Sequence, residues 1–170
     1  PQNKRFSSEK FRHVKAKELI VTDHPVVISG SATEDVQNIP RWIILWLKSN
    51  FLNPSLTISK KNKKKIYIDR DDATLKDLSQ RSITNEDEVK RYLLKNNFVS
   101  VKLHEINFKE QVDLFNKAEC VVGLHGAGFA NIIFCKPGTK VIELKNSNAG
   151  PMYENVAKKN DLNYTSITVE

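Results

Sequence analysis

Apolar positions along the chain recur in two rhythms. Short runs rich in β-branched residues read as strands: ELIVT (18–22), VVI (26–28), IYI (66–68), FVSVKL (98–103), CVVGL (120–124), KVIEL (140–144) and YTSIT (164–168). Between them, apolar residues fall at helical spacing. Val36, Ile39, Ile43, Leu47 and Phe51 mark a helix over 35–52, with Pro40 breaking or kinking its first turn. Thr84 with Asp87 forms a capping pair ahead of a helix whose apolar face is Val89, Tyr92 and Leu93. Asn107 with Glu110 forms a second, ahead of Phe108, Val112 and Phe115. A turn with a short helix over 126–134 and a helix over 151–160 complete the series.

Strands alternating with helices build βαβ units, so the expected fold class is α/β: a Rossmann-like parallel sheet with helices on both faces. We expect one such domain over 65–170. An incomplete N-terminal segment with a lysine-rich linker, 1–64, precedes it.

Composition narrows the class. The 170 residues suffice for one domain with a core of its own. Their 39% apolar and 28% charged content is that of a folded chain. The longest apolar stretch, 42–47, is far short of the ~18 residues a membrane span needs, so no transmembrane segment is expected. A formal charge of +7 and a pI of 9.4 suit a phosphate-rich partner. The run Lys60, Lys61, Lys63, Lys64 and Lys65 reads as a solvated linker. No basic strand interleaved with aromatics and no recognition-helix pattern accompanies it, which argues against nucleic acid as partner. Cys120 and Cys135 lie in apolar runs without metal or redox spacing, which favours reduced thiols and a reducing compartment. That compartment is the cytoplasm for a bacterial chain, against the ER or Golgi lumen for a eukaryotic one. The start at Pro1 rather than Met leads us to expect further sequence upstream.

In an open parallel sheet, ligands bind beyond the carboxyl ends of the strands. Three such ends carry candidate chemistry. One is Asp69-Arg70; another is the run VVGLHGAGFAN (121–131); the third holds Glu143. Gly126 and Gly128 lack a Cβ and let the backbone turn sharply and approach a ligand. The helix after them would aim free N–H groups at an anion such as a diphosphate. Glu143 could accept hydrogen bonds from ribose hydroxyls, and Arg70 and Arg81 could neutralise phosphate. Taken singly, each has a structural role open to it. His125 could be a hydrogen-bonded structural histidine and Glu143 a solvated strand end; Arg70 could pair with Asp71 or Asp72, and Arg81 with Glu86. Two other classes compete with a sugar-nucleotide site. One is an NAD-type dinucleotide domain, although Asn131 occupies the third glycine position and the turn does not follow the first strand. The other is a non-catalytic basic binding module.

The runs RSITNEDEV (81–89) and FKEQVDLFNKAECVVGLHGAGFANIIFCKPGTKVIEL (108–144), with IYIDR (66–70), resemble the family 61 glycosyltransferases. The family pattern reads Arg-x-Ile-x-Asn-Glu, Glu-Gln, His-Gly-Ala-Gly, Pro-Gly and Val-Ile-Glu-Leu. IPRWI (39–43) is a fainter echo. The resemblance implies the C-terminal half of a GT-B architecture and an inverting transfer from a nucleotide-diphosphate sugar, UDP-linked because the family favours uridine. The acceptor is then a saccharide or glycan hydroxyl, in capsule-type polysaccharide or glycoprotein glycan synthesis. It further implies substrate contacts at Arg70, Arg81, Asn85, Glu86, His125, Gly126, Ala127, Gly128, Asn131 and Glu143. His125 and Arg70 would stabilise the leaving group, with neither metal nor separate cofactor; Asp69-Arg70-Asp71 carries an arginine at its centre. Because only about 60 residues precede the domain, the catalytic base is unassigned, and we expect the chain to bind donor better than it transfers sugar.

Overall fold

The computed structural model describes residues 17–18, 34, 37–53, 63–70 and 83–168. Its regular elements are α1 (Arg41–Phe51), β1 (Lys64–Asp69), α2 (Glu86–Lys95), β2 (Phe98–Lys102), α3 (Phe108–Asn116), β3 (Ala118–Leu124), β4 (Lys140–Lys145), α4 (Met152–Lys159) and β5 (Asn163–Thr168). Two 3-10 helices, Leu103–Glu105 and Ala127–Phe134, follow β2 and β3. The five strands form one all-parallel sheet in the order β2-β1-β3-β4-β5. This is the α/β Rossmann-like class that the alternating rhythm implies.

Strand side chains alternate between faces, and each face has its own core. Ile66, Ile68, Val121 and Val141 point to one side. There they meet Val112 and Phe115 of α3, Ile132, Ile133 and Phe134 of the longer 3-10 helix, and Tyr153, Val156 and Ala157 of α4. Tyr67, Cys120 and Val122 point to the other, beneath Leu93 of α2, with Val89 and Phe98 at its margin. β3 is buried almost end to end, as a central parallel strand covered on both faces must be. Cys120 and Cys135 are buried free thiols. Among the described residues no helix is long and apolar enough to cross a membrane.

Several expected boundaries shift for physical reasons. Pro40 does not sit inside a helix. Its extended backbone (φ −65°, ψ 146°) is the residue before α1, which starts afresh at Arg41 because the proline ring cannot continue a preceding turn. α2 starts at Glu86 behind Asn85, so Thr84 and Asp87 are not its cap. No side-chain cap bond forms there; Glu86, Asp87 and Glu88 in the first turn complement the helix dipole instead. At α3 the capping box is complete, with Asn107 accepting from Glu110 N at 3.0 Å and Glu110 accepting from Asn107 N at 2.8 Å. Lys64 and Lys65, expected in the linker, open β1, and the Lys65 ammonium lies 5.7 Å from the Phe98 ring centroid. The early strands over 18–22 and 26–28 fall outside the described residues, apart from Glu18.

α1 shares the larger core. Ile44 is buried in it, with Ile39, Leu47 and Leu52 packed alongside. Polar contacts reinforce the seat: Lys159 Nζ donates to the Ile39 carbonyl at 2.8 Å, and Asn155 Nδ2 to the Gln37 carbonyl at 2.9 Å.

Candidate functional site

The chain leaves β1 toward β2 on one side and returns to β3 on the other. Connections diverge at that reversal, and the carboxyl ends of the strands beside it are the place where open α/β sheets bind ligands. Arg70 directly follows β1 and His125 directly follows β3. The fold brings them together: Arg70 Nη1 donates to the His125 carbonyl at 3.1 Å. A Cβ on Gly126 would stand 2.5 Å from Arg70 Nη1 and 3.1 Å from its Cζ, and a Cβ on Gly128 would stand 2.9 Å from Leu103 Cδ1 and 3.2 Å from Ile68 Cγ2. Both glycines therefore serve close packing of protein on protein. Gly126 is in extended backbone, with φ 164°. Ala127 is exposed at the mouth of the turn.

His125 is held at its backbone and at Nδ1. Its backbone N–H donates to the Leu144 carbonyl at 2.7 Å. Its Nδ1 bonds Glu143 Oε1, and the Tyr164 hydroxyl donates to Glu143 Oε2. The Tyr153 ring lies 5.2 Å from the imidazole and 5.4 Å from Phe129. Glu143 is 0% exposed and the His125 side chain 11%. The expected ribose contact at Glu143 is thus corrected. The carboxylate is sealed beneath the turn with both oxygens engaged by protein, because its position in β4 shares the inward face of Val141. Burial, and then the bond to Glu143, push the Tyr164 hydroxyl above its ordinary pKa, so it stays protonated as a donor.

The 3-10 helix after the turn is anchored at both ends. At the front, Asn131 Nδ2 donates to Gln111 Oε1 at 3.0 Å and to the Gly128 carbonyl at 3.3 Å, while Gln111 Nε2 donates to the Leu103 and Ile106 carbonyls. Asn131 therefore ties the turn to α3 and to the start of its own 3-10 helix. At the rear, buried Asn160 donates to the carbonyls of Ile132 at 2.9 Å and Ile133 at 3.1 Å, and Lys48 of α1 to that of Cys135 at 2.8 Å. Burial lowers the Lys48 pKa.

Other expected site residues go elsewhere. Glu86 accepts from the Tyr67 hydroxyl at 3.0 Å and pairs with Lys90 at 3.4 Å. Lys90 also binds Asp69 at 2.9 Å, and Asp69 accepts from Ser100 Oγ at 2.8 Å. Glu86 thereby closes a network between α2 and β1, which its proximity to Arg81 in sequence had concealed. Asn85 is exposed, its side chain turned to Glu88 at 3.3 Å. Arg81, Asp71 and Asp72 lie outside the described residues. Reading the chain alone missed Tyr153 and Tyr164. The only signal for Tyr164 is the β4–β5 register, which pairs it with Val141 and puts it on the face of Glu143.

Residues 4–142 match the family model described as Glycosyltransferase 61. The chain belongs to glycosyltransferase family 61. It is accordingly an enzyme that moves a sugar from a donor to an acceptor. Comparison with curated proteins returned no match. Arg70 and the turn of His125, Gly126, Ala127 and Gly128 fall within the span this family 61 chain shares with the model, whereas Glu143, Tyr153 and Tyr164 lie beyond it.

Proposed function

We propose that this chain binds a nucleotide-diphosphate sugar, with uridine as the nucleoside, and transfers the sugar with inversion to a hydroxyl of a saccharide or glycan. The observation that carries the reading is the Arg70 guanidinium set against the His125–Gly126 turn at the sheet's reversal. It joins a cation, an imidazole and a turn of backbone, the groups that a diphosphate pairs with. In the reaction the acceptor oxygen attacks the anomeric carbon from the side opposite the diphosphate. The bond from that carbon to phosphate oxygen breaks, its electron pair leaves with the diphosphate, and a base takes the acceptor proton. Charge grows on the leaving group, where Arg70, His125 and Arg81 are the donors that meet it. In this reading the sheet is one of two Rossmann-like units of a GT-B enzyme, and the acceptor approaches from the unit opposite. An NAD-type site would need its glycine turn after the first strand, whereas β1 here ends at Asp69 and is followed by Arg70.

The test is a comparison of UDP, NAD and AMP by calorimetry and thermal unfolding. UDP at about 100 times its dissociation constant should add about 2.7 kcal/mol of stability. Arg70→Ala and Arg81→Ala should each cut UDP affinity about tenfold with the fold retained, and Lys63→Ala should be nearly silent. Equal responses to the three nucleotides would remove the reading.

A further inference from the structure

Glu143 is the least expected side chain in the larger core. β4 needs no carboxylate to pair with β3 and β5, and its inward neighbour Val141 shows what such a position ordinarily holds. A buried ion pair gives little or no stability over a well-packed apolar residue, so its presence asks for a reason other than stability. The reason lies in its two partners, His125 Nδ1 on one oxygen and the Tyr164 hydroxyl on the other.

We propose that Glu143, itself fixed by Tyr164, is a positioning residue that holds the His125 ring with Nδ1–H turned inward, so that Nε2, protonated in the complex, donates to the donor's phosphate. The proposal rests on the diphosphate reading of the site and deepens it. A carboxylate only accepts hydrogen bonds, so its contact with Nδ1 requires the proton on that nitrogen. Nε2 is then the nitrogen that faces the ligand, and it donates to a phosphate oxygen once it takes up a proton there, the inward carboxylate supporting the doubly protonated ring. The Tyr153 ring beside the imidazole and the backbone bond from His125 N to the Leu144 carbonyl restrain the ring and its Cα. Tyr164 keeps its proton, which burial favours, and uses it to hold the second oxygen. Glu143 touches no substrate in this arrangement and acts through His125.

The ring nitrogens report on this directly. In 15N-labelled protein the His125 signals are assigned, among the four histidines, by their loss in His125→Gln. We expect wild type to show the Nδ1-protonated ring, with signals that move on adding UDP. Glu143→Gln, which keeps the side-chain shape, should lose that tautomer preference and bind UDP about tenfold more weakly. Tyr164→Phe should shift both readouts the same way by a smaller amount, about threefold in affinity. In His125→Gln the amide nitrogen takes the place of Nε2, so adding Glu143→Gln there should cost nothing further. Losses that multiply in that double variant would overturn the positioning role, because they would show Glu143 acting on the fold or on the ligand by another route. A ring that moves with UDP but keeps its tautomer in Glu143→Gln overturns the positioning role alone. A wild-type ring that ignores UDP overturns the donor reading, and with it the presentation of Nε2. If Glu143→Gln does not fold, the milder Tyr164→Phe carries the same comparison.

Discussion

Arg70 and Gly126 compete for the same few ångströms, which makes their pairing testable one atom at a time. The nearest atoms to a Cβ at Gly126 belong to the far end of the Arg70 side chain, at 2.5 Å for Nη1. That end can swing away, so Gly126→Ala should change stability by less than about 1 kcal/mol. It should nonetheless weaken UDP binding about tenfold by displacing the guanidinium. Denaturant unfolding beside calorimetry separates the two effects. A fully stable Gly126→Ala with wild-type UDP affinity would show that Arg70 does not need its present seat.

The element that matters most is the 3-10 helix Ala127–Phe134, an intrinsically marginal structure at eight residues. Its persistence depends on neighbours: Asn131 with Gln111 in front, Asn160 and Lys48 behind, and Ile44 of α1 in the core that it helps form. Ile44→Ala should therefore cost about 2–5 kcal/mol by leaving a cavity and should also loosen the His125 turn. Amide exchange at Phe129 and Cys135, whose N–H groups bond within this element, is the measurement. Protection there unchanged while stability falls would mean that α1 supports the core without supporting the turn. Removing the α3 cap with Asn107→Ala makes a useful contrast, since it should cost about 1 kcal/mol through a bond network that does not include His125.

At the scale of the whole molecule, protons held by Cys135, Tyr67 and Tyr164 contribute to the alkaline limit. Burial pushes the Cys135 thiol up to about 12 from an ordinary 9.0. Burial first, then the neighbouring glutamates, raise the Tyr67 and Tyr164 hydroxyls above their ordinary 10.0. In each case the folded state keeps a proton that the unfolded chain releases. Stability is complete below the unfolded pKa and declines above it, by up to about 1.4 kcal/mol per pH unit for each proton in question. The decline should begin near pH 9 through Cys135 and steepen above 10 as the tyrosines join. Denaturant unfolding across that range should show Cys135→Ala losing stability less steeply than wild type between 9 and 12. Parallel slopes would mean that the thiol titrates alike in both states.

What the chain determined alone was local. The β-branched runs from Ile66 onward, the helical spacing and the Asn107–Glu110 box each arise from residues a few positions apart, and among the described residues these elements stand where the pattern put them, apart from the later starts of α1 and α2. The His-Gly-Ala-Gly turn at a strand's carboxyl end was legible for the same reason. Local pattern did not distinguish a site residue from a structural one at Glu86, Asn131 or Glu143, because their partners Tyr67, Gln111 and Tyr164 lie 19 to 21 positions away. Nor did it set the strand order. That order follows from which faces bury together, and it alone puts β1 beside β3, so that Arg70 reaches the His125 carbonyl across 55 positions of chain. Glu143 makes the difference plain. Alternation along β4 says only that Val141 and Glu143 share one face and Ile142 and Leu144 the other. It takes α4 and the 3-10 helix closing over the first of these faces to turn a strand-end carboxylate into one sealed beneath the histidine.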